Sequence, residues 1–138
     1  MHLSMWTYPW DIQDQGIAAL AADLSGRAGL NTVSLATSYH AGRFLQPRSP
    51  VQKAYFPEDG TVYFRPDETL WQGKPIQPLM ARNVVERGDM LAALTKARAE
   101  TGLAVSCWTV CLHNSRLGEL HPEHVTRNAF GNANTYNL

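Results

Sequence analysis

Apolar residues along this chain follow two periods, and one succession of the two occurs twice. Ile17, Leu20, Ala21, Leu24 and Ala28 recur at helical spacing, which predicts an amphipathic helix over 17–28 with Gly29 as a left-handed stop. The β-prone run Asn31–Thr37, with Val33 and Leu35 at its centre, then reads as a strand covered on both faces. Met90, Leu91, Leu94 and Ala97 repeat the helical stripe over 90–101, behind Asp89 as N-cap and closed by Gly102. Ala104–Cys111 follows as a strand, with Val105, Cys107 and Thr109 on one face and Trp108 and Val110 on the other. An aromatic-rich strand over Leu3–Tyr8 precedes both units, ended by Pro9, with Asp11 or Asp14 suited to cap the helix after it. Helix-to-strand returns build parallel sheets, whose ligand sites lie at the carboxyl ends of the strands. The pattern therefore predicts an α/β protein with about three parallel strands and two helices.

Between these units, Ser38–Arg87 breaks the rhythm and holds six of the eight prolines, which excludes long regular elements. Ala54–Phe56 and Thr61–Phe64, around Pro57-Glu-Asp-Gly60, read as the two strands of a β-hairpin. The rest of 38–87 reads as an irregular excursion over the ligand-binding end of the sheet. From Asn114 the chain turns polar and loses its period, so no helix is predicted to cover the third strand.

Composition narrows the function classes. The 138 residues suit one domain, and 44% hydrophobic with 17% charged residues is a globular composition. Twelve basic residues balance twelve acidic ones, and no two basic residues are adjacent, so the footprint of a nucleic-acid or anionic-membrane binder is missing. The first ten residues lack the charged head and apolar run of a signal peptide, and no stretch approaches the roughly 18 apolar residues of a spanning helix. A cytoplasmic location is the expectation. Cys107 and Cys111, four apart on a strand, stand about 13 Å from one another at ~3.3 Å per residue, too far for a disulfide, and read as small buried hydrophobes. No glycine-rich phosphate loop occurs, so no cofactor is expected.

Four longer phrases add a resemblance. Asn31-Thr-Val-Ser-Leu-Ala-Thr-Ser-Tyr-His-Ala-Gly42, Tyr55-Phe-Pro-Glu-Asp-Gly-Thr-Val-Tyr-Phe64, Trp108-Thr-Val-Cys-Leu-His-Asn-Ser-Arg-Leu-Gly118 and Arg127-Asn-Ala-Phe-Gly131 resemble the amino-terminal part of a family of bacterial proteins. That family is itself similar to glycoside-hydrolase-type TIM barrels. Its members run to several hundred residues and continue past the last phrase, where only Asn132–Leu138 follow here. The resemblance implies an incomplete (β/α) barrel over 1–138, truncated relative to the family, with 38–87 as an excursion within it.

In such a barrel the side chains just after each strand face the site. Strand one would deliver Trp6, Tyr8 and Trp10; strand two Tyr39, His40 and Arg43; strand three His113, Asn114 and Arg116. Aromatic rings stack on flat sugar faces, while amide, imidazole and guanidinium groups hydrogen-bond hydroxyls, so these residues are candidates to bind carbohydrate or another small polar substrate. His40 and His113 have no third ligand at recognisable spacing, so no metal is expected. Glycoside hydrolysis needs two placed carboxyl groups, yet none of the twelve acids directly ends a strand. Glu119, five residues after Asn114, is the candidate catalytic acid. The expected role is thus a barrel segment that contributes carbohydrate-binding residues, with catalysis completed by further strands or a complementing polypeptide. The alternative is a non-catalytic carbohydrate-binding or remnant α/β domain that self-associates through its open sheet edge.

Overall fold

A computed structural model describes residues 1–134. Along the chain run β1 (Ser4–Thr7), α1 (Pro9–Gln15), α2 (Ile17–Ala21), a π-helical turn (Ala22–Arg27) and β2 (Thr32–Tyr39). The excursion carries β3 (Phe44–Leu45), β4 (Ala54–Tyr55), β5 (Thr61–Val62), α3 (Glu68–Trp71) and α4 (Arg82–Arg87). After it come α5 (Met90–Thr101), β6 (Ala104–Thr109), α6 (Ser115–Leu120), a 3-10 turn (Pro122–His124), β7 (Thr126–Arg127) and β8 (Ala133–Asn134).

β2 is the central strand. It runs parallel to β1 in the register Ser4↔Thr32 to Thr7↔Leu35, and parallel to β6 in the register Thr32↔Ala104 to Ala36↔Trp108. The protein is a mixed α/β fold with the three parallel strands that the apolar pattern predicts. Val33 and Leu35 point to one face and pack with Ile12, Leu20, Leu24, Leu94 and Leu103 from the helices and their ends. Ala36 points to the other face, where Trp10, Tyr55, Tyr63, Ala81 and Val84 from α1 and the excursion cover the carboxyl half of the sheet. Each such buried aliphatic contributes about 1.5–3 kcal/mol, so the period-two alternation of β2 welds two layers to one strand.

α5 forms as the sequence predicts. The Asp89 carboxylate accepts the Ala92 N–H at 3.0 Å, and Gly102 leaves the helix at φ 68°. The first helix differs from its prediction over 17–28. The chain is already helical at Pro9, breaks at Gly16 (φ 87°), restarts, and widens into the π turn before Gly29. Proline at the first helical position needs no N–H donor, and Asp11 reaches back to accept the Tyr8 N–H at 2.9 Å. Asp11 therefore serves the helix from inside its first turn, rather than capping a later one.

Three further expectations are corrected. The hairpin between 54–56 and 61–64 does not form: β4 pairs with β3 (Phe44↔Tyr55), and β5 joins the main sheet antiparallel to β2 (Ser38↔Val62). Docking β5 on β2 buries Thr61 and Tyr63, and the Tyr63 N–H bonds the Thr37 carbonyl at 2.9 Å. An aromatic ring of 150–250 Å² carries several kcal/mol of burial, more than a two-residue local pairing can offer. Cys107 and Cys111 are exposed: Cys107 lies on β6, an edge strand without the cover that Val33 and Leu35 have at the centre, and Cys111 lies past the end of that strand. A helix does follow the third strand: Asn114 caps α6 by accepting the Leu117 N–H at 2.8 Å. The end of the polar tail, residues 135–138, lies outside the described residues. No helix among those described is long and apolar enough to cross a membrane.

Candidate functional site

Small side chains on the central strand create the most distinctive surface of the sheet. β2 places Ser34 and Ala36 on the face away from the main helices, and the register sets Trp6 of β1 beside Ser34 and Trp108 of β6 beside Ala36. With nothing bulky between them, the two indoles meet across β2 with ring centres 5.4 Å apart and planes 22° from parallel. The polar atoms beneath are satisfied, Ser34 Oγ lying 2.6 Å from Ser106 Oγ. Trp108 is half-buried, whereas Trp6 is 71% exposed.

From this pair a run of rings crosses the carboxyl end of the sheet. Trp108 meets Tyr39 edge-on at 5.3 Å, Tyr39 stacks on His40 at 4.1 Å, and the His40 ring lies 4.6 Å from that of His113. Tyr8 contacts Trp10, Phe44, Tyr39 and Trp108 at 4.6–5.6 Å. Tyr8, Tyr39, His40 and His113 therefore converge, since their three segments run side by side in one direction. Their surroundings differ. Tyr8 is wedged among rings, and burial, reinforced by its hydrogen bond with Tyr39, pushes its hydroxyl far above the usual phenol range. His40 is half-buried, with Nδ1 2.7 Å from the Ala41 carbonyl. That contact is a hydrogen bond only when Nδ1 carries the proton, which leaves Nε2 as the acceptor of the neutral ring.

The other residues marked by the sequence occupy ordinary positions. Arg43 and Arg116 are exposed. Asn114 Oδ1 is engaged in the α6 cap and lies against Gly60. Glu119 sits on the exposed side of α6 and forms no ion pair among the described residues.

The most constrained carboxylate is one that sequence reasoning passed over as a cap. The Asp14 side chain is only 4% exposed, yet it accepts from Ser49 Oγ at 2.5 Å, from the Tyr55 hydroxyl, and from Arg87 Nη2 at 2.6 Å. Burial raises its pKa, but the three donors and the Arg87 charge outweigh that and hold the carboxyl below the usual range. Asp11, one turn earlier, shifts the opposite way. Burial and the Asp14 charge raise it, and the Tyr8 N–H and the Gln46 amide only partly offset them. Two neighbouring carboxyls with opposed shifts form the pattern of an acid–base pair. Here every carboxylate oxygen is already occupied, so the pair ties α1 to the β3–β4 ribbon and to α4. Partners 35, 41 and 73 residues away leave no local signal.

Asp11 and Asp14 line a cleft of about 570 Å³ with Gln46, Arg48 and Ser49. A second cleft of about 320 Å³ lies beside Trp10, Tyr55, Tyr63 and Arg87. His40 and His113 line neither. Among the described residues, no group of three or more His, Cys, Asp or Glu side chains is placed to hold a metal ion. Compared with protein-family models, curated proteins and solved structures, the chain matches none.

Proposed function

We propose that this chain binds carbohydrate where the Ser34 face of its parallel sheet is left uncovered at Trp6, with Trp6 and Trp108 as the stacking platform and His40 and His113 as hydrogen-bonding neighbours. The observation that carries this reading is Trp6. Its indole lies nearly parallel to a second one while remaining 71% exposed. Leaving that much aromatic surface in water forgoes about 3 kcal/mol of burial, which a flat apolar ligand face laid on the ring would recover. The C–H face of a pyranose covers such a ring, and further sugar units along the sheet would meet the imidazoles beyond Tyr39.

The same face would line the inner wall of a glycoside-hydrolase-like (β/α) barrel, a reading that the parallel order of β1, β2 and β6 favours. Hydrolysis would require two carboxyl groups about 5–5.5 or 6.5–9.5 Å apart beside the sugar. Asp11 and Asp14 are committed to structural partners and Glu119 faces solvent. Binding, rather than bond cleavage, is the role these residues support.

Titrating the protein with a panel of neutral and acidic oligosaccharides, read by tryptophan fluorescence, tests the proposal. At least one sugar should shift the emission saturably. Trp6→Ala should weaken that binding at least tenfold, about 1.4 kcal/mol, with an unchanged circular dichroism spectrum. No response up to about 10 mM sugar, or an unaltered affinity in Trp6→Ala, overturns it.

A further inference from the structure

We infer that two copies of this chain associate through their β6 strands, antiparallel and edge to edge, around a two-fold axis at Cys107. Among the described residues β6 is paired on one side only, to β2. The Ala104 N–H bonds the Asn31 carbonyl at 2.9 Å and the Val110 N–H bonds the Ser38 carbonyl at 3.2 Å. Even-numbered residues thus direct their backbone groups toward β2, and strand alternation turns those of Val105, Cys107 and Thr109 outward. Cys107 and Thr109 are exposed, so no other part of the described chain covers this edge.

Edge strands are normally guarded by a lysine, a proline, a bulge or a covering loop. Ala-Val-Ser-Cys-Trp-Thr has no charged residue and no proline, and the one register shift beside it falls between Ala36 and Ser38 of β2. The hydrogen-bonding chemistry of the edge calls for a strand, and its side chains select a second copy. Centring the axis on Cys107 pairs all three outward residues, Cys107 with its equivalent and Val105 with Thr109 twice. Between them each Trp108 lies opposite a Ser106, large against small. Because β6 carries no charge, equivalent residues meet across the axis without repulsion, and the net charge of zero imposes none at long range. Such a contact is isologous and closes at two copies. Pairing β6 to the four-residue β1 edge of another copy would instead propagate without limit. The two-fold axis runs perpendicular to the sheet, so both Trp6–Trp108 pairs face the same side. The pairing itself does not depend on the carbohydrate reading, and it is the alternative to a further barrel strand on the same edge.

Sedimentation equilibrium of the full chain under reducing conditions between about 1 and 100 μM should report a concentration-dependent dimer. Cys107→Lys puts two like-charged side chains on Cα atoms about 5.5 Å apart at the axis and should shift the protein to monomer with an unchanged circular dichroism spectrum. In Cys111→Ser, which leaves Cys107 as the only thiol, mild oxidation should give a disulfide-linked dimer, since that Cα separation lies within the roughly 4.4–6.8 Å that a disulfide spans. A wild-type monomer across the range, or a dimer that Cys107→Lys leaves intact, overturns the inference. If Cys107→Lys unfolds the chain, the oxidation decides: a covalent dimer supports the pairing, and a thiol that stays monomeric refutes it.

Discussion

Replacing Asp14 by asparagine removes one charge from the place where α1, the β3–β4 ribbon and α4 meet, and changes the shape of the site very little. In the native protein Asp14 Oδ2 faces two hydroxyls and Oδ1 faces the Arg87 guanidinium. An amide cannot accept on both sides: with its oxygen kept toward Arg87, its NH₂ must donate to the two hydroxyls, which give up their bonds to a carboxylate, and Arg87 loses its counter-charge. Losing a charge-assisted hydrogen bond costs about 1.5–3 kcal/mol, and stranding a fully buried partner charge costs about 3–5 kcal/mol. Arg87 keeps 29% of its side chain in contact with water, so the lower part of that range applies, and Asp14→Asn should destabilise by about 3 kcal/mol. At roughly 3 °C per kcal/mol for a chain of this length, the Tm should fall by about 9 °C. Urea unfolding followed by circular dichroism at pH 7 measures it, and a cycle with Arg87→Met should show about 2 kcal/mol of coupling.

The pH dependence has a definite sign. Asp14 titrates lower in the folded than in the unfolded chain. Its stabilisation is therefore complete above the unfolded value of about 3.9 and disappears as pH falls through the folded value. The gap between wild type and Asp14→Asn should narrow below about pH 4. Asp11 acts oppositely, because its folded value is raised. Its charged form weakens the fold, and acidification from neutrality toward about pH 4 relieves that. A change under about 0.5 kcal/mol on Asp14→Asn at pH 7, or a gap that widens in acid, would refute this account of the network.

Two glycines with nearly equal φ should respond differently to alanine. Gly60 (φ 63°) has Asn114 Oδ1 only 2.3 Å and Arg116 Cβ 2.9 Å from where a Cβ would stand, whereas no atom of the described residues lies within 4 Å at Gly102 (φ 68°). Gly102→Ala should cost only the left-handed strain of about 1–2 kcal/mol, while Gly60→Ala should cost clearly more in urea unfolding and disturb the Asn114 cap; equal losses would argue against this packing. The Asp89 carboxylate holds both the Ala92 N–H and the Arg65 N–H, at 3.0 and 2.8 Å. Asp89→Ala should therefore exceed the ~1 kcal/mol of a simple N-cap, and hydrogen exchange should rise at both amides; an increase at Ala92 alone would limit the role to capping.

Much of the scaffold was legible in the residues because its signals are local and periodic. Val33 and Leu35 alternating with Ser34 and Ala36, the 3.6-residue stripe of Met90, Leu94 and Ala97, and Asp89 with Gly102 at its ends each need only their neighbours in the chain. They sufficed for a parallel β1–β2–β6 sheet, and hence for the convergence of Tyr8, His40 and His113 beyond its strands. Tertiary structure alone decided where β5 docks, because Tyr63 gains more from the sheet than from a local hairpin. It decided that Asp14 is an anchor rather than a cap, since Ser49, Tyr55 and Arg87 reach it only once the excursion folds back. It also determined that Trp6 and Trp108 meet over Ser34 and Ala36 while Cys107 faces water. Local periodicity reports which face of a strand is apolar; which neighbour fills that face, and which edge is left bare, depends on residues far along the chain.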